Sequence, residues 1–467
     1  MSLRMTALIA FAVVVVLVPL TAWAWPRSQV ADVPDPAPGP PGAVSWLKTD
    51  GGRIVDDQGR RVLLRGFNVD ALFDPRNSEI GDPAPLDDTD ARLMREAGFD
   101  VVRLPIAWSL LEPVRHQIDR GYLDRIQNAV GLLERHRLRV VLDMHVGIAW
   151  GVRSQVPAWA SMPLIPDVRW FFGSPWKYSL SPQSAAASAY FWTSRDWQRD
   201  YTEVWRAVAH TFRNDPWIAG YDLYNEPHPL PIPPGVFESR YLWPFYARLI
   251  TEIGAVDPRH LFIVESTLFD DSGTLVEPLS APNVVYSPHF YFGSLVKIPF
   301  LPDSPEALAA RLRQRSVEAR MLPAPLWIGE LGIDGYASGA AAYTRSAVTT
   351  LDELGSGWTW WQWRQDGGWG IRSTDGRRLD IGSLTRLARP YLQAAPPGVT
   401  ATAADHGLAI SVDAGAKGGT RLIEVAYPGL TWGRPEAGGS CLVDSSWSHG
   451  ELVLSVAPGA ACSIVIS

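Results

Sequence analysis

Between residues 44 and 392, short apolar runs alternate with stretches whose apolar positions recur at helical spacing. Val62-Leu63-Leu64-Arg65-Gly66-Phe67-Asn68 reads as a first strand and Val101-Val102-Arg103-Leu104-Pro105 as a second. Leu123, Ile126, Val130 and Leu133 then form one apolar helical face. That helix leads into Val140-Val141-Leu142-Asp143-Met144-His145, a third strand. Tyr201, Val204, Trp205, Val208 and Phe212 repeat the helical period ahead of a fourth strand, Trp217 onward to Tyr224. Leu261-Phe262-Ile263-Val264, Val284-Val285-Tyr286-Ser287-Pro288-His289, Leu326-Trp327-Ile328-Gly329-Glu330 and Trp358-Thr359-Trp360-Trp361 complete a set of eight. Continuous apolar strands separated by helices mean a parallel sheet covered on both faces, and eight such units predict a (β/α)8 TIM barrel over 44–394. A doubly wound open sheet is the runner-up, but no Gly-rich phosphate turn accompanies the first strand.

Beyond Ala395-Pro396-Pro397-Gly398 the period changes to two. Leu408/Ile410/Val412, Leu452/Leu454/Val456 and Ile464/Ile466 alternate between Gly- and Pro-containing turns. Residues 395–467 therefore read as a small C-terminal β-sandwich. At the other end, Arg4 precedes an apolar run that closes in Ala22-Trp23-Ala24, an A-x-A-like cleavage site. Residues 1–25 are a signal peptide or a membrane anchor, with cleavage after Ala24 the favoured outcome, and 26–43 form a Pro-rich linker. The protein is expected outside the cell, secreted or held at its surface. An aromatic, Pro-rich insertion follows the third strand, from Val156-Pro157-Ala158-Trp159 to Trp176-Lys177-Tyr178. Loops of that length in a compact domain usually serve function.

Composition narrows the partners. The net charge of -7 and the lack of a basic patch with interleaved aromatics exclude a nucleic-acid binder. Tryptophan is abundant, at 21 residues. Indole faces suit sugar rings and lipid interfaces, although a large barrel also buries many. Cys441 and Cys462 are the two cysteines, with no CxxC or Cys/His cluster, so a zinc site is not expected. A disulfide within the terminal domain is the favoured arrangement for an exported chain, two buried thiols the alternative.

The candidate chemistry sits at strand ends. Asn225-Glu226-Pro227 ends the fourth strand and Glu330 the seventh. In a barrel both carboxylates can face one mouth. Paired carboxylates suit glycoside cleavage, one protonating the leaving oxygen while the other attacks the anomeric carbon. Arg103, His145, Asn225, His289 and Tyr291, with Trp361, add polar or flat groups at other strand ends. Arg103 is expected to keep Glu330 ionised, while Glu226 holds a proton.

These motifs resemble glycoside hydrolase family five, and within it the endoglycoceramidase-like group. The likeness runs through Arg65-Gly66-Phe67-Asn68, Tyr122-Leu123-Asp124-Arg125, Leu142-Asp143-Met144-His145, Pro157-Ala158-Trp159, Tyr221 to Pro227, Ser287-Pro288-His289-Phe290-Tyr291, Gly329-Glu330-Leu331-Gly332, Trp360-Trp361 and Arg389-Pro390-Tyr391. The resemblance implies Glu226 as acid/base and Glu330 as nucleophile. Asn225 is to bind the 2-hydroxyl, Arg103 and Tyr291 to hydrogen-bond the nucleophile, and His145, His289 and Asn68 to line the reacting sugar, with Trp361 as its platform. It implies hydrolysis of the glycan–ceramide bond of glycosphingolipids at a membrane or micelle surface, by a monomer without metal or organic cofactor. Two positions depart from the group's pattern. Gly147 stands where an Asp usually follows the strand-three His, and Val69-Asp70-Ala71-Leu72-Phe73-Asp74 lacks a common Lys. Both leave the glycan open. A family-five hydrolase of glucosylceramide, of alkyl or steryl glucosides or of a soluble β-glucan is the second hypothesis, and a catalytically silent carbohydrate- or lipid-binding protein the third. Ile298-Pro299-Phe300-Leu301 joins the insertion as the expected lipid-facing rim.

Overall fold

The computed structural model describes residues 44–76, 82–146, 155–162, 181–229, 231–268, 274–295, 304–404, 407–414, 421–459 and 461–467. The 1–25 segment, the 26–43 linker, Gly147, residues 163–180 of the aromatic insertion and the Ile298–Leu301 stretch lie outside them. Eight parallel strands form one sheet: Arg65–Asn68 (β1), Val101–Ile106 (β2), Arg139–Met144 (β3), Ile218–Asp222 (β4), Leu261–Val264 (β5), Val284–Tyr286 (β6), Trp327–Leu331 (β7) and Gly357–Trp360 (β8). They pair in chain order, and β8 pairs with β1 through Trp358↔Arg65, Thr359↔Gly66 and Trp360↔Phe67. Parallel bridges Tyr286↔Leu326 and Phe290↔Leu331 tie β6 to β7, so the sheet closes into a (β/α)8 barrel. Gly66 lets β1 and β2 approach closely, because a Cβ there would meet the Val101 carbonyl oxygen at 1.7 Å.

The helices bury the faces that the periodicity foretold. Arg120–Arg135 is capped by Asp119, whose side chain accepts from the Tyr122 amide, and buries Leu123, Ile126, Val130 and Leu133. Arg195–Phe212 is capped by Ser194 and buries Tyr201, Val204, Trp205, Val208 and Phe212. Much of the tryptophan is core: Trp108, Trp205, Trp243, Trp327, Trp358 and Trp363 are fully enclosed. Among the described residues no helix is long and apolar enough to cross a membrane.

The start of the chain behaves differently from expectation. The run from Val62 to Asn68 is not one strand. Arg61–Val62 pairs antiparallel with Tyr391–Ala395, and only Arg65–Asn68 enters the barrel. With Leu47–Asp50 and Arg53–Asp56 it joins a seven-stranded sheet that continues through Arg421–Ala426, Glu451–Val456 and Leu442–Ser448. A four-stranded sheet of Val399–Ala404, Gly407–Val412, Cys462–Ile466 and Ala437–Gly439 packs on it. Ile410, Ile464 and Ile466 of one sheet meet Ile423, Val425 and Leu454 of the other in a shared core. The sandwich therefore recruits residues 47–62 from the far end of the chain. Leu47, Ile54 and Leu64 pack in turn with Val101, Leu261 and Trp327, at the amino ends of β2, β5 and β7. Closing that end of the barrel leaves chemistry to the carboxyl ends of the strands.

Candidate active site

β2 carries Arg103 into the barrel, fully buried. Taking a guanidinium out of water costs several kcal/mol unless every N–H finds a partner. Here they do. Nε donates to Asp222 Oδ2 at 2.9 Å. Nη1 donates to Glu330 Oε1 at 2.6 Å and to Asn68 Oδ1 at 3.0 Å. Nη2 donates to Asn225 Oδ1 at 2.9 Å and to Glu265 Oε1 at 3.0 Å, with Asp143 Oδ1 at 3.1 Å. A planar fork of five donors suits this role, whereas a Lys ammonium could not span the same acceptors.

Glu330, on β7, has both oxygens engaged. Oε1 accepts from Arg103 and Oε2 from the Tyr291 hydroxyl at 2.9 Å. Burial and the Glu330 charge hold the Tyr291 phenol well above its ordinary value, so it stays a donor. Glu226 lies four residues past β4, not at its last residue, because the strand stops at Asp222. Its backbone has φ +46°, a left-handed conformation that costs a non-glycine residue about 1–2 kcal/mol. The Glu226 amide is held there by Glu265 Oε2 at 2.8 Å.

His289 connects the two. Nδ1 donates to Glu226 Oε1 at 2.9 Å and lies 3.5 Å from Glu330 Oε2, while Nε2 lies 3.2 Å from Glu265 Oε1. Burial alone disfavours its charge, but the surrounding carboxylates outweigh burial and hold the imidazolium well above the usual range. One carboxylate oxygen each of Glu226 and Glu330 and a ring nitrogen of His289 lie within 4.8 Å of one another.

The remaining expected residues adjoin this core. Asn68 donates from Nδ2 to the Gly329 carbonyl at 3.1 Å, fixing its oxygen toward Arg103. Asn225 spends its oxygen on Arg103, and its Nδ2 stands 3.4 Å from His145 Nε2. His145 is oriented by Asp143 Oδ2 at 2.8 Å from Nδ1, and its ring stacks with Trp361 at 5.8 Å and 24°. Trp361 follows β8 and is half-buried, as a ring platform requires.

A second layer of carboxyls lies behind the pair, two of the three at positions the strand-end pattern does not mark. Asp143, Asp222 and Glu265 each place an oxygen within 4.8 Å of the other two, all buried. Burial pushes the Asp222 carboxyl up to about 6, against the pull of Arg103. Burial raises Glu265 too, but the Glu226 amide, Arg103 and His289 all point donors at its oxygens and favour its ionised form. Glu265 follows the apolar run of β5 directly, so a strand-end signal for it is present in the sequence. In the sandwich, Cys441 and Cys462 form a disulfide with their Cα atoms 6.0 Å apart.

The chain spans only part of the curated relatives it matches. It is 32% identical to an endoglycoceramidase I of Rhodococcus hoagii (strain 103S) over 193 residues, 40% of this chain and 38% of that protein. Similarity of structure extends further. A crystal structure of an endogalactoceramidase superposes with a TM-score of 0.76 at 28% identity, covering 91% of this chain and 100% of that one. Endo-glycoceramidase II from Rhodococcus sp. gives 0.74 at 25% identity, covering 91% and 99%. The family description "Cellulase (glycosyl hydrolase family 5)" matches residues 55–367, a span that holds Arg103, Glu226, His289, Glu330 and Trp361. The chain belongs to glycosyl hydrolase family 5.

Proposed function

We propose that the protein is a retaining β-glycosidase that cleaves between glycan and lipid in a glycosphingolipid. The observation that carries this reading is the approach of Glu226 and Glu330 within 4.8 Å, oxygen to oxygen. Retaining enzymes hold their carboxyls about 5–5.5 Å apart, whereas inverting ones need about 6.5–9.5 Å to seat a water between them. In the first step a Glu330 oxygen attacks the anomeric carbon, the glycosidic C–O bond breaks, and Glu226 delivers its proton to the departing oxygen. Arg103 and Tyr291 aim the attacking carboxylate and steady its charge until the glycosyl ester forms. In the second step Glu226 takes a proton from water, the resulting hydroxide adds to the same carbon, and Glu330 leaves as carboxylate. His289 donates to Glu226 throughout and keeps it pointed at the shared carbon.

The lipid part of the reading is supported by the likeness to endoglycoceramidases in sequence and structure. The substrate is then presented at a membrane or micelle surface, and the apolar 1–25 segment suits a secreted or surface-anchored enzyme acting as a monomer. The test is a panel of glucosylceramide, longer glycosphingolipids, alkyl glucosides and β-glucan, with mass detection of the bond broken. Intact oligosaccharide plus ceramide is the expected product, absent with Glu330→Gln. Faster cleavage of soluble β-glucan than of any micellar glycolipid would contradict the lipid specificity.

A further inference from the structure

Beside the catalytic pair lies a loop that buried charge holds in place. After β8 the chain folds back on itself. The Arg372 amide donates to the Trp363 carbonyl at 2.7 Å, the Gln365 amide to the Arg372 carbonyl at 3.0 Å and the Trp363 amide to the Asn68 carbonyl at 3.1 Å. This loop carries two half-buried indoles, Trp361 and Trp369. Trp361 stacks with His145, and the Trp369 ring meets the Tyr291 ring edge-on, with centroids 6.3 Å apart. Gly332, two residues past Glu330, lies tight against both. A Cβ there would come within 2.5 Å of the Trp361 carbonyl oxygen and 3.3 Å of Trp369 Cζ3.

Asp90, on the helix Asp88–Glu96, anchors the loop. Its Oδ1 accepts from Trp363 Nε1 at 2.7 Å and from Arg364 Nε at 2.9 Å, and its Oδ2 meets Arg364 Nη2 at 2.8 Å. That is the bidentate arrangement that fixes a guanidinium in direction as well as in place. Arg372 Nη1 donates to the same carboxylate, and Asp87 pairs with both arginines. Arg364 and Arg372 face each other across an isolated bridge, so without anions between them two like charges would push the loop open. Asp90 has no exposed surface. Whatever it does for a substrate passes through the loop.

We propose that Asp90 is a positioning residue of the glycosidase. By clamping Arg364 and Arg372 it keeps Trp361 in place beside His145 and keeps Trp369 packed on Tyr291, the donor that aims Glu330. The inference rests on the glycosidase reading, which gives Tyr291 and Glu330 their work. A shift of about 1 Å at a catalytic group costs about a hundredfold in rate, so a loosened loop is felt in the turnover of correctly folded molecules.

The test compares wild type with Asp90→Asn and Arg372→Gln on whichever glycoside the wild type cleaves fastest, well below each melting temperature. A 2-fluoroglycoside that traps the nucleophile counts the competent sites, so kcat is read per folded active site and does not fall merely because part of a sample is unfolded. We expect Asp90→Asn to lose about tenfold to a hundredfold in kcat per site. Trapping should slow by a similar factor, since it too depends on attack by Glu330. Arg372→Gln, at the less enclosed side of the cluster, should show a smaller loss in the same direction, and it decides the matter if Asp90→Asn does not fold. Lower melting temperatures with kcat and KM per site at wild-type values would mean that the cluster serves the fold alone, and would overturn the proposal. A wild type that neither cleaves nor is trapped by any glycoside would instead overturn the glycosidase reading on which the positioning role rests.

Discussion

Glu265 shows how much of the site is carried by a residue that need not touch substrate. Its two oxygens meet the Glu226 amide, the Arg103 guanidinium and the His289 ring, so it joins the acid/base residue to the nucleophile's cation. Glu265→Gln keeps an acceptor for the amide but removes a negative charge from beside His289. With less anionic support, His289 releases its proton at lower pH. Once neutral, the ring no longer gives Glu226 a charge-assisted hydrogen bond. The alkaline limb of the kcat profile should therefore move to lower pH, with kcat at its optimum down about tenfold to a hundredfold and KM nearly unchanged. An alkaline limb that stays in place would show that Glu265 does not set the His289 charge. At this scale the sequence is informative where a polar group closes an apolar strand, as at Glu330, or follows one within a few residues, as at Glu226 and Tyr291. It was silent about Asp143 and Asp222, because a carboxylate inside a strand is meaningful only when a cation on another strand meets it. Arg103 supplies that cation, and no local pattern records the pairing.

Among the elements, the barrel strands were legible because burial on both faces writes itself as unbroken apolar runs. At the first strand the same signal hides a boundary. Val62, Leu64 and Phe67 are all buried, yet Val62 faces the core beneath the barrel and Phe67 the core around it. An apolar run thus conceals a change of sheet at residues 63–64. Long-range antiparallel pairing, such as Val62 with Ala394, leaves no periodic trace at all. The sandwich shows the converse. Its period-two strands were plain, and the disulfide joins two of its segments 21 residues apart. Closing a loop of that size restricts the unfolded chain by about 3 kcal/mol. Cys462→Ser should lower the unfolding free energy by about that amount in urea titration, and reducing agent should do the same to the wild type. No change in either experiment would mean that the bond adds nothing to stability.

For the whole molecule, the buried carboxyls fix how stability responds to pH. Burial raises Asp100 to about 7 and Asp70 to about 7, so the folded chain keeps protons that the unfolded chain releases near 4. Stability from these groups is complete below about 4 and is lost as pH rises toward 7. His289, raised well above its ordinary value, adds a loss of the same sign at higher pH. Asp257 and Asp74 act oppositely, their lowered values costing stability only in acid. The Tm should therefore peak at mildly acidic pH and decline from about 5 to 8, less steeply in Asp100→Asn. A Tm that climbs across that window would contradict these assignments. All of the chemistry, however, turns on the spacing of two carboxylates at the barrel mouth. The most direct test is proton NMR of the sugar first released from a β-glycoside, read before mutarotation. The account predicts that the β-anomer appears first, as double displacement through Glu330 requires; initial release of the α-anomer would contradict it.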